Sequence, residues 1–143
     1  MDIFTTFEVS ASALKANKIR LDTISSNLAN VETTSTPEGG PYKKKLVYFE
    51  TAPVSFQDHL RQNLENAVQG VKVKKIIEDK SPPRLVYNPS HPDAAEDGYV
   101  KMPNINVIEE MVDMMNATRL YEANTTTIKS AKRMALKALE IGG

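Results

Sequence analysis

At 143 residues the chain is no longer than one ordinary domain, and its 18 lysines and arginines balance 18 aspartates and glutamates. A neutral chain lacks the excess positive charge that drives nucleic-acid affinity, so nucleic acid is not expected as a main partner. Cysteine is absent, which removes disulfides, thiolate metal sites and a cysteine nucleophile without fixing the compartment.

The stretch Met1 to Lys15 has no basic start, continuous apolar run or cleavage site, so it does not read as a secretory signal peptide. Export, if it occurs, is expected to leave this end uncleaved. No run of about 18 apolar residues exists, so membrane insertion is not expected. Residues 3–30 are predicted to be a helix. Phe7, Leu14, Leu21 and Leu28 recur every seven positions, with Ile24 and Val31 in the adjacent row, which makes an apolar stripe on one helix face. Thr5 with Glu8 fits a capping box, and Asp2 is an equally good start. Small residues from Ser10 to Ala16 suit close approach of a neighbouring helix. Threonines 33, 34 and 36 before Pro37 favour leaving the helix.

Glu38-Gly39-Gly40-Pro41 reads as a turn or link. Tyr42 to Thr51 reads as a strand, and Phe56 to Gln69 as a short helix or a loop. Val71 to Lys74 alternates apolar and basic, as a strand with one wet face does. Arg84–Tyr87 and Gly98–Lys101 are short strand candidates. Prolines 82, 83, 89, 92 and 103 argue against one long regular sheet. The run Lys43-Lys44-Lys45 reads as lysines guarding a solvated strand edge rather than as an anion-binding patch.

A second helix is predicted from Asn106 to Ile141, about 36 residues or roughly 54 Å. Asn106 with Glu109 is an N-cap pattern, and Glu109, Glu110 and Asp113 suit the positive end of the helix dipole. Val107, Met111, Met114, Tyr121, Ile128, Ala135 and Leu139 form its stripe, and Gly142-Gly143 stop it. The expected fold is mainly α with a small β-rich middle. It has a helical segment over 1–31, an irregular middle over 32–103 and a second helical segment over 104–143, the helices packing as a coiled-coil-like pair. One antiparallel neighbour leaves much of each stripe wet, so the ends are expected to fold fully only against further subunits.

Two function classes compete with an assembly role. His91-Pro92-Asp93 with Glu96 and Asp97 offers metal or acid–base groups. But His59 is far along the chain, and there is no phosphate loop, metal-helix spacing or nucleophile motif. That segment reads as a turn, and no catalysis, metal, cofactor or small-molecule substrate is expected. A helical-hairpin adaptor module of a secretion system explains the stripes equally well.

Ser26-Asn27-Leu28-Ala29-Asn30, preceded by Leu21-Asp22-Thr23-Ile24-Ser25, resembles the N-terminal signature of the axial proteins of the bacterial flagellum. Many of those continue into a Gly-aromatic pair. The segment Thr36-Pro37-Glu38-Gly39-Gly40-Pro41-Tyr42 departs from that and is similar to the proximal-rod, FlgC-type branch. Segments 81–87, 88–94, 98–106, 109–124 and 135–142 fit the same branch, and residues 43–80 match least. The resemblance implies a structural subunit of the basal-body rod, exported unfolded by the flagellar type III apparatus without a cleaved signal. It would assemble with copies of itself and other rod proteins. It also implies terminal helices packed into a helical tubular assembly around the export channel, transmitting torque across the periplasm. On that reading the subunit interface is assigned to Phe7, Leu14, Leu21, Ile24, Asn27, Leu28 and Asn30 on the first helix. Met111, Met115, Tyr121, Asn124, Ile128, Met134 and Leu139 are its counterpart on the second. The alternative for the apolar members is packing within one chain, and for Asn30 a helix cap.

Overall fold

Two long helices stand at the two ends of the described chain: α1, Ile3–Ala29, and α2, Val107–Ile141. The computed structural model describes residues 3–52 and 69–141, so the expectation for Phe56 to Gln69 lies, up to residue 68, outside the described residues. α1 is already helical at Ile3, which puts Thr5 inside the helix rather than at its cap. At the other end the Asn30 side-chain amide donates to the Ser26 carbonyl (2.8 Å), and the Thr33 hydroxyl donates to Asn30 Oδ1 (3.1 Å). This closes the last turn of the helix. The N-cap of α2 is as expected, with Asn106 Oδ1 accepting from the Ile108 N–H at 3.1 Å.

The helices are antiparallel. Arg20 on α1 bonds Asp113 on α2, and Asn27, seven residues later on α1, bonds the earlier Glu110. The positions buried most deeply on α2 are Glu110, Ala117 and Ala131, with half-buried Asn124 completing a row of period seven. On α1 they are Ser10, Ala16, Thr23, Ile24 and Asn27. Small side chains in such rows let two helix axes approach toward the lower end of the usual 8–10 Å range.

Between the helices the described residues form two separate two-stranded antiparallel sheets and not one long sheet, against which the prolines argue. β1, Lys45–Thr51, pairs with β2, Val71–Glu78, with a bulge where Tyr48 and Phe49 shift register. β1 begins three residues later than expected. The chain first turns through Gly39 and Gly40, at φ +91° and +80°, and the Tyr42 N–H donates to the Thr33 carbonyl (3.0 Å). That brings Tyr42 back against the end of α1. β2 runs on to Glu78 because Lys45 to Tyr48 supply partners for Lys75 to Glu78. Its start is anchored on α1, where Ser12 Oγ accepts from the Val71 N–H (3.0 Å) and donates to the Val9 carbonyl (2.7 Å). β3, Arg84–Tyr87, and β4, Tyr99–Met102, form a hairpin with Tyr87 and Tyr99 edge to face, 5.3 Å between ring centroids.

Candidate assembly surface

An internal brace, centred on Asn27, fixes the shape that the surface inherits. Asn27 is 1% exposed, and all four hydrogen-bonding valences of its side chain are used. Its Oδ1 accepts from the Lys45 N–H (2.9 Å) and the Tyr42 hydroxyl (3.2 Å). Its Nδ2 donates to the Lys45 carbonyl (2.9 Å) and to Glu110 Oε2 (3.0 Å). The remaining Glu110 oxygen takes the Lys44 ammonium at 2.7 Å. One amide therefore ties α1, the entry to β1 and α2 together. Buried polar groups matched this completely specify one arrangement of the elements.

The charges of the brace are set by the same contacts. Burial pulls the Lys44 pKa down, but the hydrogen bond and charge of Glu110, with Glu109 and Asp113 behind it, outweigh that. The result lies above the ordinary lysine value. This corrects the reading of Lys44 as a solvated guard. Lys43 does remain at the surface, 3.6 Å from Glu78. On the outer sheet, hydrogen bonds from Lys72 and Lys74 hold Glu50 below the usual carboxylate range.

The fourteen side chains named from the sequence divide into three groups. Asn27 and Ile24 are buried within the subunit, and Asn30 caps α1; all three are engaged inside the chain. Phe7, Leu14, Leu21, Leu28, Asn124 and Ile128 are half-buried, with one side still open. The Asn124 amide donates to the Leu120 carbonyl (2.8 Å). Met111, Met115, Tyr121, Met134 and Leu139 are exposed, from 38% at Tyr121 through 56% at Met115 to 74% at Leu139.

Ile108 and Val112, which the sequence reading passed over, are exposed as well and join Met111 and Met115 at spacing i, i+3, i+4, i+7. These four share the side of α2 turned away from the Glu110 row. Glu110, Lys44 and Tyr42 were also missed as site residues. The available signal was Glu110 itself, which stands in register with Ala117, Asn124 and Ala131 at period seven.

The segment from His91 to Asp97 forms turns. The Asp93 N–H donates to His91 Nδ1 (3.1 Å), Asp93 Oδ2 accepts from the Thr34 hydroxyl (2.6 Å) and Asp97 Oδ1 accepts from the Tyr99 N–H (3.2 Å). Among the described residues no three His, Asp or Glu side chains converge as a metal site, and no helix is long and apolar enough to cross a membrane.

Known proteins share this layout in sequence. Residues 7–35 match the family described as flagella basal body rod protein, and residues 96–141 match the flagellar basal body rod FlgEFG protein C-terminal family. The chain is 46% identical over 149 aligned positions to the flagellar basal-body rod protein FlgC of Bacillus subtilis, covering 99% of both chains. It is 44% identical to that of Borreliella burgdorferi, over 99% of this chain and 98% of the relative. To that of Salmonella typhimurium it is 41% identical, over 99% of both. Identity at this level over nearly the whole length, with both helical ends matched by rod families, leads to one conclusion: the chain belongs to the FlgC family of flagellar basal-body rod proteins, which are structural subunits and not enzymes.

Proposed function

We propose that this rod subunit is built into the proximal rod through the outward faces of α1 and α2, in a tubular assembly around the export channel. The observation that carries the proposal is the stripe Ile108, Met111, Val112 and Met115, four large apolar side chains left in water by the packing of α2 on α1. Contiguous apolar surface of this kind marks an interaction site. Half-buried Phe7, Leu14, Leu21 and Leu28 on α1 extend the same role, as do Tyr121, Met134 and Leu139 farther along α2. Methionine in the stripe suits packing against neighbours that are not identical, because its unbranched thioether fills irregular gaps.

Close packing of these faces in a neighbour's grooves gives the shaft the stiffness that torque transmission needs. On this reading the brace sets the internal arrangement of the subunit, and the helical ends fold fully only when their apolar faces meet neighbours. Passage through the flagellar type III export apparatus without cleavage of the N-terminus completes the reading. Mass spectrometry of detergent-extracted basal bodies, after stripping loosely bound protein, tests it. The chain should be a stable component with its N-terminus intact; a protein found only soluble in the cytoplasm returns the chain to an adaptor role.

A further inference from the structure

Away from the helix faces, a groove of about 920 Å³ runs between the Gly39–Tyr42 turn, β2 and the entry to β3. Lys43, Lys44, Lys75, Lys80 and Lys101 line it, against the carboxylates of Glu78 and Asp79. Lys44 is neutralised by Glu110 and Lys43 by Glu78. Asp79 is turned onto Ser81, accepting from its N–H (3.0 Å) and its hydroxyl (2.8 Å). Lys75 stands 6.0 Å from the centre of the Tyr48 ring, and among the described residues Lys80 and Lys101 form no ion pair. Asp79 keeps its negative charge, so five lysines stand against Glu78, Asp79 and Glu110 and the groove retains an excess of positive charge.

The complementary charge sits at the other end of the β3–β4 hairpin. The pair Arg84–Met102 marks the groove end and the pair Tyr87–Tyr99 the loop end, with a ladder of roughly 10 Å between them. The loop beyond Tyr87 carries Asp93, Glu96 and Asp97 and no lysine or arginine. All three are exposed, and among the described residues none is in an ion pair. Backbone bonds from Ala94 to His91 (3.0 Å), Gly98 to Ala95 (2.8 Å) and Asn88 to Gly98 (2.9 Å) fix the loop's shape, so the acids are presented from a preset turn.

We propose that the groove of one subunit receives the 93–97 loop of a second copy of this chain, with Glu96 and Asp97 facing Lys80 and Lys101. The inference rests on the assembly reading given above and adds the surface by which copies meet. Donor and acceptor surfaces lie at opposite ends of one hairpin, and the contact is proposed as head to tail, running from copy to copy; a reciprocal twofold exchange would instead stop at a dimer. Like other exposed charge contacts, it weakens as salt rises.

The chain contains no cysteine, so an introduced pair reports cleanly. The variant carrying both Lys80→Cys and Glu96→Cys, replacing the native chain in the flagellated host, is expected to give a ladder of disulfide-linked multimers in oxidised basal bodies. Either substitution alone is expected to give none. Motile cells whose basal bodies hold the double variant but show no ladder overturn the groove–loop contact and leave rod membership standing. Absence of the wild-type chain from basal bodies of the unmodified host overturns the assembly reading instead. A crosslink to a different protein gives the groove to that partner and also overturns the proposal. If the cysteine variant does not enter basal bodies, charge reversal decides. Lys80→Glu with Lys101→Glu, and separately Glu96→Lys with Asp97→Lys, should each abolish swimming, and all four together should restore it; failure of the combination to restore swimming sinks the contact.

Discussion

Asn27 treats Lys45 as a strand neighbour would: its side-chain amide exchanges two hydrogen bonds, both 2.9 Å, with the Lys45 backbone N–H and carbonyl. The helix thereby holds β1 at the residue where the strand begins. Asn27→Asp keeps the size but turns a donor into an acceptor facing the Lys45 carbonyl, and sets a second carboxylate 3.0 Å from the Glu110 oxygen. Loss of about 3 kcal/mol or more is expected, since buried polar groups lose partners and like charges meet. Urea unfolding followed by circular dichroism measures it. A change below about 0.5 kcal/mol, the size of an ordinary surface substitution, would show that the brace is not structural.

Lys44 makes the brace sensitive to alkali. Its pKa in the folded chain is raised, so its contribution is fully present below the ordinary lysine value of about 10.4 and is lost as pH climbs through the raised value. Lys44→Met should be less stable than the wild type near neutrality. The two melting temperatures should converge as pH rises from about 10.4 through the raised value. Parallel curves across that range would assign the alkaline loss to other groups.

Met115→Asp separates folding from assembly. The side chain is more than half exposed, so the isolated subunit should change stability by no more than about 0.5 kcal/mol. A charge in the Ile108–Met115 stripe should nevertheless abolish swimming, because an unpaired carboxylate is then forced into an apolar contact. Soft-agar motility and basal-body yield read this out, and normal swimming in the variant refutes the assignment of Met115.

Gly98 fixes the acidic loop. Its φ is +77°, and a Cβ there would stand 2.8 Å from Tyr87 Cε2. The ring can swing aside, so backbone strain dominates, and Gly98→Ala is expected to destabilise the hairpin by about 1–2 kcal/mol. Hydrogen exchange at the Asn88 N–H, which is bonded to the Gly98 carbonyl, should speed up with little change in α1.

The helices were legible because a 3.6-residue period spread over thirty residues averages out local noise, and because Asn106 and the threonines after Asn30 mark their ends chemically. The strands were legible from alternation and proline placement, but which strand pairs with which was not. Which face of α2 turns inward was not. The sequence reading followed large apolar side chains, whereas the seam against α1 is built from Ala117, Ala131 and a carboxylate at Glu110, with Asn124 between. Hydrophobicity ranks a methionine row above an alanine row, but close helix approach favours the alanines, and the methionines are left outside. Lys44 was misread for a related reason. A run of three lysines looks like a solvated edge until the fold brings a buried carboxylate from 66 positions away to its middle member.

The brace joins residues far apart along the chain: Asn27 meets Lys45 across 18 positions and Glu110 across 83. Contacts this distant close a large loop before they return any stability, so they form late and slowly. Glu110 lies in the last quarter of the sequence. A chain delivered N-terminus first thus has its knot untied until most of its length has arrived, and the subunit locks in a single concluding step rather than piece by piece.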